Sequence, residues 1–94
     1  MNFFPLRSGY DGMTKTHYIA KINVEKYEAK NVNILFDTSV QPNTINVQAK
    51  QIIGEEIFEM NHKFCVPYDC DIHKCSIQEE VGTVTFLIPR KKTR

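Results

Sequence analysis

The sequence predicts an all-β domain, either an antiparallel sandwich or a small barrel. Three observations carry that prediction. Apolar and polar residues alternate with period two from His17 almost to the end of the chain. No window shows an apolar stripe at helical spacing. Turn-like segments, TSVQPN at 38–43, IIGE at 52–55, PYDCD at 67–71 and EEVG at 79–82, cut the alternation into strand-length pieces. A sheet with one dry face and one wet face gives this pattern.

Residues 1–16 show no period and read as a short arm, with Phe3, Phe4 and Leu6 as an apolar cluster outside the strands. The first strand is HYIAKINV, with Tyr18, Ala20, Ile22 and Val24 on one face. EKYEAKN is long enough for a single turn. NVNILFD then presents Val32, Ile34 and Phe36, and TINVQAK presents Ile45, Val47 and Ala49. The long run IFEMNHKFCV places Phe58, Met60, His62, Phe64 and Val66 together. A short strand carries Cys75 and Ile77, and TVTFLI closes with Val84, Phe86 and Ile88. The aromatics at these inward positions are core rather than stacking platforms. The domain proper spans 17–90, and 91–94 form a basic tail.

The 94 residues suffice for one domain with one core. A net charge of +1 argues against a dedicated nucleic-acid binder, so the basic RKKTR ending reads as a solvated terminus that aids solubility. No apolar run approaches the roughly 20 residues of a membrane helix, and the N-terminus lacks the charged-then-apolar order of a secretory signal. Cys65, Cys70 and Cys75 make an odd count, so free thiols and a cytoplasmic setting are expected.

The Cys/His group, His62, Cys65, Cys70, His73 and Cys75, lacks any C-x-x-C pair, and His62 and Cys65 point to opposite faces of a strand. No metal and no cofactor are expected. A zinc or thiol sensor would need those groups to converge or a thiol to be activated. No phosphate loop, H-E-x-x-H or nucleophile elbow occurs, so the chain does not read as an enzyme. The adjacent pairs Glu55–Glu56 and Glu79–Glu80 read as solvated faces.

Several of these segments together resemble the α-crystallin domain of small heat-shock proteins. VEKYEAKNVNILFD is similar to the family's "F.PE.V.V.V", and TINVQAKQ to its "L.V.GKHE". MNHKFCVPYDCD resembles "F.R.Y.LP..VD", with Met60, Phe64, Pro67 and Asp71 at the Phe, Tyr, Pro and Asp. GTVTFLIP resembles "GVLTI..P" through Gly82 and Pro89. The match covers about residues 17–92. His62 stands where animal members usually have arginine, Val84 is displaced by Thr83 relative to the family's leucine, and CSIQEEVG runs one residue longer than the family's segment.

The resemblance implies an immunoglobulin-like antiparallel sandwich acting as an ATP-independent holdase for unfolded clients or partner peptides. It implies a peptide groove lined by Val32, Ile34, Phe36, Cys75 and Ile77. It also implies an animal-type homodimer joined along the strand of Ile57, Glu59, Asn61, His62 and Lys63, because Lys50 to Glu56 leave no room for a strand-swapping loop. The family's Ile-x-Ile extension has no counterpart before Arg94, so either an excised domain or a minimal protein is expected, and the arm is a candidate plug for the groove. Two other readings use the same sandwich: a CS-type co-chaperone adaptor, which lacks the Gly82-to-Pro89 type of ending, and a structural subunit of a larger assembly.

Overall fold

The computed structural model describes residues 9–91, which form two packed antiparallel sheets. The strands are β1 (Gly9–Met13), β2 (His17–Asn23), β3 (Val32–Asp37), β4 (Thr44–Ile53), β5 (Glu56–Cys65), β6 (Ser76–Glu80) and β7 (Thr83–Pro89). One sheet has the order β1-β2-β7-β6 and the other β3-β4-β5. The predicted sandwich is therefore the observed architecture.

The alternating residues explain the packing. Tyr18, Ala20 and Ile22 of β2, Ile45, Val47 and Ala49 of β4, Met60 and Phe64 of β5, and Val84, Phe86 and Ile88 of β7 are buried between the sheets. Phe86 sits at the centre, its ring edge-on to Phe36 at 6.0 Å and tilted against Phe64 at 6.4 Å. Burying a side chain of this size stabilises the fold by about 1.5–3 kcal/mol. Val66, Cys70 and Ile72, in the connection after β5, close the same core. The Val66 amide donates to the Asn43 carbonyl at 2.8 Å.

Two hairpins depend on glycine. Gly54 (φ +64°) opens the two-residue turn between β4 and β5, with Ile53 paired to Glu56. Gly82 (φ +78°) closes the turn between β6 and β7, with Glu80 paired to Thr83. The segment between β2 and β3 crosses from one sheet to the other, with a 3-10 turn at Ala29–Asn31. Gln51 holds it there: its Oε1 accepts from the Glu28 amide at 3.0 Å and from Asn31 Nδ2 at 2.9 Å. Lys26 Nζ lies 4.7 Å from the centre of the Phe58 ring beside it.

The structure departs from the sequence reading in three places. Gly9–Met13, expected within the arm, is an edge strand in register with β2, from Gly9 opposite Ile22 to Met13 opposite Tyr18. Phe3, Phe4 and Leu6 lie outside the described residues. Ile52 and Ile53, expected in a turn, extend β4, so only Gly54 and Glu55 turn. Glu79 and Glu80, also expected in a turn, belong to β6, while Cys75 precedes that strand at the end of the 3-10 turn Ile72–Lys74.

Candidate functional site

Each sheet ends in strands that pair on one side only. Among the described residues, β3 and β5 pair only with β4, β6 only with β7, and β1 only with β2. An edge of this kind presents backbone N–H and C=O groups to any extended chain that comes alongside. The four edges lie along the two borders of the sandwich.

β3 and β6 form one border. Val32, Ile34 and Phe36 are half-buried on the inner face of β3, packed against the core. On β6, Ile77 is paired with Phe86 and is 45% exposed, so an apolar side chain on the core-facing side of the strand remains open to a partner. Cys75, half-buried, lies at the start of this border, and its Sγ is 3.6 Å from the Ser76 carbonyl. Burial pushes the Cys75 thiol up, away from thiolate.

A cleft of about 300 Å³ opens at the far end of the border. Val32 and Ile34 line it, joined by Val24, Tyr27, Ala29 and Val84. Phe36, Cys75 and Ile77 lie outside this cleft. Its remaining walls come from the β6–β7 hairpin and from Glu25, so three acidic residues, Glu25, Glu79 and Glu80, line an otherwise apolar pocket, with Glu79 on the inner face of β6. The Val24 amide donates to the Gly82 carbonyl at 2.9 Å and holds the two walls together. Sequence reasoning missed Val24, Tyr27 and Ala29 as lining residues. Val24 does continue the alternation of the preceding strand, but Tyr27 and Ala29 sit in an irregular crossing with no period to mark them.

β5 and β1 form the other border. Glu59, Asn61 and Lys63 point outward from β5, on the face opposite the core, and are exposed. Ile57 on that face is 59% exposed and paired with Ile52, which is 62% exposed. His62 is on the inner face, half-buried, its ring 4.4 Å from that of Phe64. It therefore does not share a face with Glu59. The sequence-predicted dimer strand thus holds four exposed residues on one face and His62 on the other. A polar depression on the outer face of this sheet runs past Asn33, Gln48, Lys50, Glu59 and Asn61.

The thiols and histidines do not converge. Cys65 is exposed, Cys70 is buried and Cys75 is half-buried, and all three are free. Burial, with Asp69 adjacent, pushes the Cys70 thiol up. Among the described residues no group of three His, Cys, Asp or Glu side chains is placed to hold a metal ion. Among the same residues no helix is long and apolar enough to cross a membrane.

No family model matches the sequence, and no curated protein matches it. Solved structures do match the fold. Stress-induced protein 1 from Caenorhabditis elegans superposes with a TM-score of 0.73 at 12% identity, over 90% of this chain and 89% of that one. A small heat-shock protein from Xylella fastidiosa gives 0.75 at 7% identity, over 92% and 86%. HSP18.5 from E. histolytica gives 0.72 at 14% identity, over 92% and 88%. The fold is that of the α-crystallin sandwich of small heat-shock proteins.

Proposed function

We propose that this domain is a holdase of the small heat-shock type, binding extended segments of unfolded or partner polypeptides at its strand edges without ATP. One observation carries the reading: the half-buried apolar row Val32, Ile34 and Phe36 lies beside the unpaired edge of β3 and faces the border of β6 with its open Ile77. An incoming strand gains backbone hydrogen bonds from the edge and places every second side chain on that apolar floor. The fold shared with solved heat-shock and stress-induced proteins supports the same reading. No step requires a nucleotide, a metal or a cofactor. The working form is a homodimer joined along β5, and the setting is cytoplasmic, where three free cysteines stay reduced.

The test is suppression of light scattering by a thermally unfolding client, with and without ATP. The domain should suppress aggregation equally in both, and Ile34→Asp should abolish suppression by placing an unpaired charge on the apolar floor. A folded domain that leaves client aggregation unchanged would remove the holdase reading.

A further inference from the structure

We propose that the border of β3 and β6, from Ile77 into the cleft at Glu79, prefers an extended segment of the form aliphatic-x-Arg or aliphatic-x-Lys over one with two aliphatic residues. This rests on the groove reading above and specifies its ligand.

The inner face of β6 carries two successive positions, and they differ in chemistry. Ile77 is opposite Phe86, and Glu79 is opposite the buried Val84. Both therefore point to the core side of the border. A strand laid along this edge repeats its side chains with the same period, two residues or roughly 6.6 Å apart. One of its groove-facing side chains meets Ile77, and the next meets Glu79.

The surroundings of the second position fix its preference. Glu25 stands across the hairpin turn, its Cβ 3.5 Å from where a side chain on Gly82 would begin. Glu80 follows Glu79, and no Lys or Arg is among the cleft's lining residues. The nearby Lys30 already has a carboxylate, Glu28, at 3.4 Å. The cleft floor of Val24, Ala29, Val32, Ile34 and Val84 is apolar. A Lys or Arg lays its methylene stem on such a floor and brings its charge to a carboxylate rim. A second aliphatic side chain would instead desolvate the Glu79 carboxylate with nothing to compensate it, and an acidic one would be repelled.

The experiment titrates the full chain with three capped peptides that differ at one residue, with cores Ile-Ser-Arg, Ile-Ser-Ile and Ile-Ser-Glu, following amide shifts by NMR. The Arg peptide should bind with shifts at 32–34 and 77–81, roughly 5- to 20-fold tighter than the Glu peptide, and less so as salt rises. It should also bind more tightly than the Ile peptide. Glu79→Gln should erase most of the Arg preference, while Glu55→Gln, which removes the same charge from the β4–β5 turn, should leave it intact. Equal or tighter binding of the Ile peptide at the same amides overturns the basic preference and leaves the groove reading standing. Binding of none of the three peptides overturns both. An Arg preference that survives Glu79→Gln, or falls equally in Glu55→Gln, assigns it to general surface charge and overturns the proposal.

Discussion

The Tyr18 hydroxyl donates to Asp11 Oδ2 at 2.7 Å, tying the edge strand β1 to the interior of the sandwich. Tyr18 itself is 2% exposed, and burial, reinforced by the Asp11 carboxylate, raises its phenol pKa well above the usual value of 10.0. The raised pKa favours the protonated hydroxyl, the form that donates this bond. Tyr18→Phe should cost about 1 kcal/mol, the net worth of one such bond, and loosen β1 first. Hydrogen exchange is the measurement: amides of 9–13 should lose protection before those of β2 and β7. Uniform loss across the domain would mean that the bond does not hold β1 separately.

Gly9 opposes Ile22 where the two sheets converge. A Cβ there would lie 2.9 Å from Phe64 Cζ, from Ile22 Cδ1 and from the Lys21 carbonyl. Gly9→Val should therefore destabilise by about 1–3 kcal/mol, as overpacking does, or peel β1 away. Urea denaturation measures the first, and protection of the 9–13 amides the second. Wild-type stability with β1 still protected would contradict this packing.

Asp69 and Arg90 hold the connection after β5 to the end of β7, with Arg90 Nε 2.9 Å from Asp69 Oδ2. The Arg90 hydrogen bond keeps the Asp69 carboxyl below the usual 3.8. A depressed carboxyl contributes stability that is fully present above its unfolded value and is lost as the pH falls through its folded one. The Arg90 and Asp69 side chains are 42% and 43% exposed, so the effect is small and local. Acidification below pH 3.8 should raise exchange at Asp71, whose amide donates to the Pro89 carbonyl, and Asp69→Asn should flatten that dependence. An identical pH profile in the variant would assign it elsewhere.

The β5 edge gives a prediction about assembly. Light scattering should report about twice the 10.9 kDa of one chain at high concentration, falling toward one chain on dilution. Glu59→Pro, which removes a backbone donor from β5, should favour the single chain while circular dichroism shows the sheet intact. A particle of twelve or more subunits would contradict it, and an unchanged mass for the variant would move the interface off β5.

The inner faces of β2, β4 and β7 were legible because each buries an alternate row, such as Ile45, Val47 and Ala49, and that of β5 because Met60 and Phe64 are buried in step with half-buried Phe58 and His62. β1 was not, because, of its inward positions, Gly9 serves close approach and Asp11 the Tyr18 bond, which leaves Met13 as the one large apolar side chain of that row. β6 was blurred for a related reason. Its five residues are all exposed, and Glu79 occupies an inner-face position. An inward charge on an edge strand discourages edge-to-edge aggregation, and it breaks the very period that marks a strand. For the candidate site, Val32, Ile34 and Phe36 could be read from alternation. Tyr27 and Ala29 could not, because the Gln51 bonds that seat their segment join residues 20 and 23 apart in sequence.

Gln51 offers a test of that seating. Gln51→Leu leaves the Glu28 amide and Asn31 Nδ2 without their shared acceptor. The variant should lose about 1–2 kcal/mol by urea denaturation and weaken any ligand of the cleft, since Tyr27 and Ala29 belong to the released segment. Unchanged stability would show that water replaces Gln51 at no cost.

The central claim, that extended polypeptide adds to the border of β3 and β6, is tested most directly by hydrogen exchange on the domain mixed with an unfolding client. Amides of 32–37 and 76–80 should gain protection in the complex, and Ile34→Asp should remove that gain. Protection confined to β5 or to the outer sheet faces, with 32–37 and 76–80 unchanged, would contradict it.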